Sequence, residues 1–552
     1  MTAALLENFD LLAASVGGIA RLRELILSLA VRGRLVPQDA NDEPASELLK
    51  RIRAEKDRLI KEGKIKRDKP FDEITTDETP FEIPKSWTWA RFGQASINRD
   101  GERIPVSAAD REKRAKIYDY YGASGVIDKI DGYIFDQSLL LIGEDGANLL
   151  NRSTPIAFLA HGKYWVNNHA HVIDVTHAEL MSYLCLFINA ISLEPYITGT
   201  AQPKMNQAKL NSIVVALPPL AEQSRIVAKV EELMALCDRL EAEQGHAARV
   251  QGHWVDAALD QFAESADADQ FRRHWQHLAA HFDTLFTTPE SIDRLDATLL
   301  QLAVRGKLVP QDPNDEPASE LLKHIRAEKN RLIKEGKIKR DKPLAPITDG
   351  EKPYELPKGW EWVRLEVIAD IGTGTTPSRS TPEYWNPAEI PWVASGETGN
   401  SLISKTAESV SSLAVQQTSL RLYPVNTLVI ALYGQGKTRG QISELLIEAA
   451  TNQACAAIVP ILSNADHKEY IKQYFRRIYD EIREEAAGGA QPNLNVGKIK
   501  STLIPLPPLA EQSRIVAQVE KLLALTASLK TRLTAAQTKQ AHLAEALIDE
   551  VV

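Results

Sequence analysis

The sequence predicts an α+β protein: two mixed α/β domains separated by duplicated long antiparallel coiled-coil helices, with a pseudo-two-fold internal repeat. Three observations predict it. The 552-residue chain carries two near-verbatim blocks, 29–70 and 302–343. A helical seam at coiled-coil spacing also occurs twice. Between these shared blocks lie two segments, 92–198 and 365–487, that show no sustained alignment and are each long enough for a core of their own.

The first block reads LAVRGRLVPQDANDEPASELLKRIRAEKDRLIKEGKIKRDKP. Its copy, 273 residues later, differs only at Arg34/Lys307, Ala40/Pro313, Arg51/His324 and Asp57/Asn330. Asp42 to Glu62 reads as a helix: Pro44 falls in the first turn, Leu48, Leu49, Ile52, Leu59 and Ile60 mark one face, and Gly63 offers a stop. A basic run follows, Lys61, Lys64, Lys66, Arg67 and Lys69, matched by Lys334, Lys337, Lys339, Arg340 and Lys342. Such a run is usually a solvated face. Its duplication suggests a shared partner, either DNA phosphate or protein.

The two unlike segments come next. YIFDQSLLLIGEDG, YWVNNHAHVIDV, NTLVIALYGQG and ACAAIVPI are apolar runs that strands would use. Residues 178–193 and 467–486 read as helical. Both segments leave through a Gln-Pro element, Gln202-Pro203 and Gln491-Pro492. LPPLAEQSRIVAKVEELMAL then begins at Leu217 and LPPLAEQSRIVAQVEKLLAL at Leu506. After the prolines, Ile226, Val230, Leu233, Cys237 and Leu240 recur in steps of four and three, as do Ile515, Val519, Leu522, Thr526 and Leu529. That is an a/d seam. Leu220 to Glu243 would span about 36 Å at 1.5 Å per residue. Duplicated helices, each closing an unlike domain, are expected to pair with each other. The expected boundaries are 1–84, 85–216, 217–345, 346–505 and 506–552.

Composition narrows the class. Hydrophobic residues make up 44% and charged residues 25%, ordinary for a globular protein. Three cysteines, Cys185, Cys237 and Cys455, lie far apart, which argues against a disulfide framework or a thiolate zinc site. The acidic N-terminal stretch does not read as a signal peptide, and no apolar run reaches about 18 residues. A cytoplasmic protein is expected. The net charge of −9 argues against DNA only until the positions of the cations are known.

Two stretches imitate catalytic loops. VIADIGTGT (367–375) is like a methyltransferase glycine loop, but Thr376-Pro377 follows where a helix should open. ALYGQGKTRG (431–440) ends like a phosphate loop, but Ala431 stands where the first glycine is needed. His169 and His171 would share one face of a strand and could hold a metal, yet no acidic cluster lies beside them in the sequence. Core or hydrogen-bonding histidines are the plainer reading. No metal site and no catalytic constellation are assigned.

Two unlike domains, each leaving through Gln-Pro and LPPLAEQ into a coiled-coil helix, resemble the specificity subunit of type I restriction-modification enzymes. LAVRG[RK]LVPQ…DEPASELL, PKGWEWVRL, GTGTTPS, EYW…IPWVASGE and TNQA carry the same likeness, as do YYGASG and VNNHAHV. The resemblance covers nearly the whole chain. It implies that each unlike segment is a target-recognition domain reading half of an asymmetric bipartite site in double-stranded DNA. It also implies that the helices set the spacer and dock two methylation subunits, with restriction subunits outside. Adenine-N6 methylation and ATP-dependent cleavage would then reside in partners, together with S-adenosylmethionine, ATP and Mg. This chain itself would be non-catalytic. The competing class is a helical scaffold carrying two ligand-binding domains unrelated to DNA.

Base reading needs Arg, Lys, amide or hydroxyl side chains on loops. The candidates in the first domain are Arg99, Arg103, Tyr121, Ser124, Asn148, Arg152, Asn168, His169 and Lys204. In the second they are Thr375, Ser378, Arg379, Ser395, Lys437, Arg439, Asn452, Gln453 and Asn493. Arg152 and Arg439 lead as guanine readers. Ile226, Val230, Leu233, Leu240, Ile515, Val519, Leu522 and Leu529 are assigned to helix packing. Residues 85–216 hold 13 basic against 13 acidic side chains, and 358–505 hold 14 against 15. Neither domain is strongly basic, so the chain alone should bind DNA weakly and salt-sensitively.

Overall fold

The computed structural model describes residues 9–67, 69–199, 202–340, 345–434, 437–487 and 494–551. The chain forms two compact units, one of residues 1–247 with 536–552 and one of residues 248–535.

The first unit opens with α1 (Gly18–Val31) and α2 (Ala45–Lys61). Gly33 ends the α1 turn at φ +70, and Arg34 N returns to Leu29 O at 2.9 Å. A Cβ at Gly33 would also come within 2.6 Å of Pro84, so the glycine admits both the turn and the proline. Strand β1 (Thr88–Arg91) pairs antiparallel with β10 (Val214–Leu217), placing entry to and exit from the domain side by side. Between them lie β2 (Ile97–Asn98), β3 (Tyr118–Gly122), β4 (Gly125–Ile130), β5 (Phe135–Asp136), β6 (Leu139–Gly143), β7 (Ala157–Ala160), β8 (Lys163–Val166), β9 (Ala170–Asp174) and α3 (Ala178–Ala190). One sheet has the order β2-β9-β6-β7 and a second the order β4-β3-β8-β5. Strand β6, LLLIG, is buried at every residue, which is why it reads as a continuous apolar run rather than an alternation.

Helix α4 (Leu220–Ala263) begins in the first unit and its last residues count in the second. The second unit continues with α5 (Pro289–Val304) and α6 (Ala318–Lys334). Strand β11 (Glu361–Arg364) pairs with β20 (Leu503–Leu506) as β1 does with β10. Inside lie β12 (Ala369–Thr373), β13 (Ile390–Val393), β14 (Leu402–Ile403), β15 (Glu408–Val410), β16 (Leu428–Ala431), β17 (Ile442–Leu445), β18 (Ala450–Thr451), β19 (Cys455–Pro460) and α7 (Ala465–Arg477). Their orders are β12-β19-β16-β17-β14 and β15-β13-β18. Strand for strand, β12-β19-β16-β17 repeats β2-β9-β6-β7, and the parallel pair β13·β18 repeats β3·β8. The two segments that do not align in sequence share a topology.

The duplicated blocks meet at one node in each unit. Trp87 Nε1 and Gln38 Nε2 donate to the buried Glu222 carboxylate at 2.9 and 2.5 Å, while Arg225 pairs with Asp42 at 2.5 Å. The second copy repeats it: Trp360 Nε1 donates to Glu511 at 2.9 Å, Gln311 donates to the same carboxylate, and Arg514 pairs with Asp315 at 2.5 Å. Tyr183 of α3 and Tyr470 of α7 donate to Ala216 O and Pro505 O at 2.6 and 2.5 Å, tying each of these helices to the exit strand. Burial pushes the Glu222 carboxyl up and raises that of Glu511 to about 7. LVPQ, NDEP, the tryptophan and LPPLAEQSR are therefore repeated because they are parts of one joint.

Helix α4 is longer than expected, and its seam also packs against a second helix of its own unit. Helix α4 runs on past Glu243 to Ala263, 44 residues, or about 66 Å at 1.5 Å per residue. It continues because Val255, Leu259 and Phe262 keep one face buried, outweighing Gly245 and Gly252. The span of about 36 Å expected from Leu220 to Glu243 is thus little more than half of this helix. Ile226, Val230 and Leu233 are buried and Leu240 is half-buried, in the same core as Leu22, Ile26 and Leu29 of α1. Arg23 pairs with Asp238 and Glu241 at 2.6 and 2.8 Å, Gln244 donates to Ala13 O, and Gln38 to Glu222. Rising numbers meet falling ones, so α1 and α4 are antiparallel. In the second unit Ile515, Val519 and Leu522 of α8 (Leu509–Val551) are buried, with Leu529 packed beside them. Lys530 pairs with Asp293 of α5 at 2.6 Å. Over the seam, an antiparallel neighbour is α1 in the first unit and α5 in the second.

The far ends are exchanged between the units. Glu545, near the end of α8, counts in the first unit and pairs there with Arg21 at 3.0 Å. Asp256, near the end of α4, counts in the second and pairs with Arg294. Arg294 is the repeat equivalent of Arg21, and Asp256 stands where Glu545 stands in the other copy. The basic run beyond α2 is solvent-exposed, with Lys64 on Glu62 at 2.8 Å, and Lys337 repeats that contact on Glu335 at 2.9 Å. Lys342 lies outside the described residues. Among the described residues no helix is long and apolar enough to cross a membrane.

Candidate nucleic-acid interface

Three loops converge at one end of the β2-β9-β6-β7 sheet in the first unit and of the five-stranded sheet in the second. In the first, β2 is antiparallel to β9, and Gly143 at the end of β6 faces Ala170 at the start of β9. The segment after β2, the β6–β7 loop and the β8–β9 turn therefore share an end. In the second, Thr373 of β12 faces Ala456 and Ala431 of β16 faces Cys455, so the corresponding three loops meet likewise.

At the first end the cations are tied to carboxylates, the two arginines largely covered and Lys204 exposed. Arg103 donates to Glu144 and to Ala170 O, both at 2.7 Å, and Lys204 pairs with Glu144 at 3.1 Å. Arg99 lies on Glu102 at 2.7 Å and Asp174 at 3.2 Å, with its guanidinium 5.3 Å from the Phe135 ring. Neither arginine is a free base-reading side chain here, because each is spent on carboxylates of the fold. Burial raises the Glu144 carboxyl, but Arg103, His171 and Lys204 outweigh it and hold the group below its ordinary value.

The histidines part company. His169 is exposed and meets Asp145 at 2.8 Å. His171 is buried, with Nδ1 2.6 Å from Asp100 and Nε2 donating to Met205 O at 2.7 Å. Strand β9 starts at Ala170, so the alternation that would put both on one face does not include His169. The acidic neighbours missing from the local sequence, Asp100 and Glu144, are supplied by distant segments. Their ligand atoms cluster with His171, but Arg103 and Lys204 already balance them.

Asn168 is exposed in the β8–β9 turn and Ser124 in the β3–β4 turn. The latter turn covers Gly143, where a Cβ would come 2.8 Å from Ala123 O. Tyr121 is half-buried against Tyr164 and Phe158, and burial raises its hydroxyl pKa. Two candidates belong elsewhere. Asn148 ties its own loop, with Nδ2 donating to Thr154 O at 3.0 Å. Arg152 caps the C-terminus of α3, donating to Asn189 O and Ile191 O at 3.1 and 2.5 Å. As a guanine reader Arg152 is therefore withdrawn: its donors already have acceptors in the fold.

The second end is more open. Gly374 lets the chain pass directly against Thr451, whose carbonyl oxygen would lie 1.6 Å from a Cβ. That approach brings Thr376 Oγ1 to Gln453 Oε1 at 2.5 Å and Thr375 O to Trp392 Nε1 at 3.1 Å. Ser378 is exposed, and its carbonyl accepts from Trp385 Nε1. Arg379 lies 3.6 Å from the Trp385 ring centroid and grips Glu408 with both terminal nitrogens, at 2.7 and 2.8 Å. Ser395 follows β13 and accepts Thr398 Oγ1 through its carbonyl. Lys437 is exposed, and its carbonyl accepts from the Tyr479 hydroxyl; Arg439 O accepts from Arg483 at 3.2 Å. Asn452 is half-buried and Gln453 exposed beside it. Asn493 and the second Gln-Pro element lie outside the described residues.

The two catalytic look-alikes fall at this end and are followed by other structure. GTGT leads into the loop before β13, and the stretch ending in Lys437-Thr438 leads into strand β17 rather than a helix. The residue that sequence reading missed is Asn167, discussed below. Its signal was VNN set against TNQ, an asparagine directly after a short apolar strand.

Known proteins can be set beside this geometry. A family model described as type I restriction modification DNA specificity domain matches residues 95–247 and 357–537. The type I restriction enzyme EcoEI specificity subunit of Escherichia coli is 37% identical, covering 96% of this chain and 93% of its own length. The EcoAI specificity subunit, also of Escherichia coli, is 35% identical over 97% and 94%. A crystal structure of the HsdS subunit from Thermoanaerobacter tengcongensis covers 86% of this chain and 99% of its own, at 17% identity and a TM-score of 0.40.

Proposed function

The chain belongs to the family of type I restriction-modification DNA specificity subunits, and on that premise we propose that its two three-loop ends read the two halves of one interrupted site. A specificity subunit is a non-catalytic DNA-recognition component that acts with methylation and restriction subunits. The further reading is that two methylation subunits dock on the helical frame. Adenine-N6 methylation with S-adenosylmethionine, and ATP- and Mg-dependent cleavage, then belong to the partners. One observation carries the two-headed reading: a single strand order is built twice in one chain, with different residues on the converging loops.

Grafting residues 92–198 from a relative of different specificity should change one half-site of the methylated sequence and leave the other intact. A graft that alters both halves, or neither, sinks the two-headed reading. Purified chain given S-adenosylmethionine and DNA should methylate only after a methylation subunit is added. The frame as spacer is tested by removing seven residues from both α4 and α8. That shortens each helix by about 10 Å, on the order of three base pairs. A changed spacer with unchanged half-sites is expected, and an unchanged spacer would refute the role.

A further inference from the structure

Two turns with unlike sequences make the same hydrogen bonds. In the first domain the chain leaves β8, turns at 167–169 and becomes β9, an inner strand of the β2-β9-β6-β7 sheet. Asn167 N donates to Tyr121 O at 3.1 Å, carrying the parallel ladder one residue beyond the strand. Its Oδ1 then accepts His169 N at 2.8 Å. In the second domain Asn452 N donates to Val393 O at 2.9 Å, and its Oδ1 accepts Ala454 N at 3.0 Å. The turns are pinned from the other side as well: Glu144 N donates to His169 O at 2.9 Å and Leu432 N to Ala454 O at 2.7 Å.

An asparagine side chain that accepts from the amide two residues on forms a turn of its own. The residue between the two partners is then turned outward. Asn167 is buried and Asn452 half-buried, whereas the residues between, Asn168 and Gln453, are exposed. Both are carboxamides: Asn168 can offer a donor and an acceptor together to a base edge, and Gln453, whose Oε1 accepts from Thr376 Oγ1, can offer its amide donor. His169 and Ala454, at the next position, differ completely. The identical part is thus the inward part, and the outward part is free to vary.

We propose that Asn167 and Asn452 are a matched pair of positioning residues, and that the side chain each one presents, Asn168 or Gln453, determines sequence at one position of its own half-site in double-stranded DNA. This rests on the two-headed reading above. Asn167 and Asn452 act through the turn alone, so an acceptor oxygen suffices. Asp supplies it; Ala does not.

The test uses the full chain assembled with its methylation subunit, acting on a library of randomised DNA, with methylated sites read by sequencing. Asn167→Ala should lower discrimination in one half-site by about tenfold, the size of a weak single-base contact, and leave the other half as it was. Asn167→Asp should restore it to within about twofold, and Asn168→Ala should relax a single position of the same half. Asn452→Ala, Asn452→Asp and Gln453→Ala should repeat the pattern in the other half. If Asn167→Asp behaves like Asn167→Ala, the turn role is overturned. If Asn168→Ala and Gln453→Ala leave every position intact, the reading role is overturned. Should an alanine variant fail to assemble, the Asp and carboxamide variants decide alone. A graft of 92–198 that moves one half-site while these variants do nothing would overturn this proposal and spare the two-headed one.

Discussion

The first and second reading ends share their strand order and differ in how they spend their cations. Arg99, Arg103 and Lys204 are tied to Glu102, Asp174 and Glu144. Arg379 lies on the surface against Trp385 and Glu408, and Lys437 is exposed. The comparison separates two things that a list of loop arginines merges. Topology decides where the loops stand, and local charge balance decides which side chains are available to DNA. It also reconciles a net charge of −9 with the proposed DNA reading, since acidic groups such as Glu144 and Asp174 hold cations in place.

The contrast can be broken most directly at Arg103. Arg103→Ala leaves Glu144, whose side chain is 11% exposed, without its closest cation, and should cost about 3 kcal/mol of stability in chemical denaturation. The next effect lies in the joint beneath the second end. The Glu511 carboxyl is raised from 4.5 to about 7 by burial. A folded value above the unfolded one means its stabilisation is complete below about pH 4.5 and is lost as pH rises through 7. Glu511→Gln should remove that slope and melt higher than the parent at pH 8, by on the order of 2 kcal/mol. An unchanged slope would show that Glu511 titrates normally.

Arg152→Ala should cost about 1–2 kcal/mol from two lost carbonyl bonds and leave the recognised sequence unchanged. Relaxation at one base pair would restore Arg152 as a reader and blur the contrast. Arg379→Ala should be smallest in stability, under about 1 kcal/mol for an exposed pair, while weakening DNA binding by the assembled complex. Equal losses for Arg103→Ala and Arg379→Ala would erase the difference between the ends.

The frame was legible because its signals are local and written twice. A glycine stop at Gly63, a proline-led helix and an a/d spacing each need only nearby residues. The strand runs were legible for the same reason. The shared topology of the unlike domains was not, since a buried strand asks only for apolar side chains: LLLIG and LVIA satisfy it equally. The length of α4 was missed because its later apolar positions lie beyond two glycines. The site was the least legible. Exposed-looking arginines are paired across long sequence distances, as Arg103 is with Glu144 and Arg99 with Asp174. Asn167 was passed over for the asparagine beside it because the important group, a backbone-bound Oδ1, faces inward.

The reciprocal pairing of Arg21 with Glu545 and of Arg294 with Asp256 has an evolutionary reading. The end of the chain lies against its opening helices, just as the end of α4 lies against α5. On the two-headed reading proposed above, an exchange within the duplicated blocks would change half of the target sequence without rebuilding the joint that holds it.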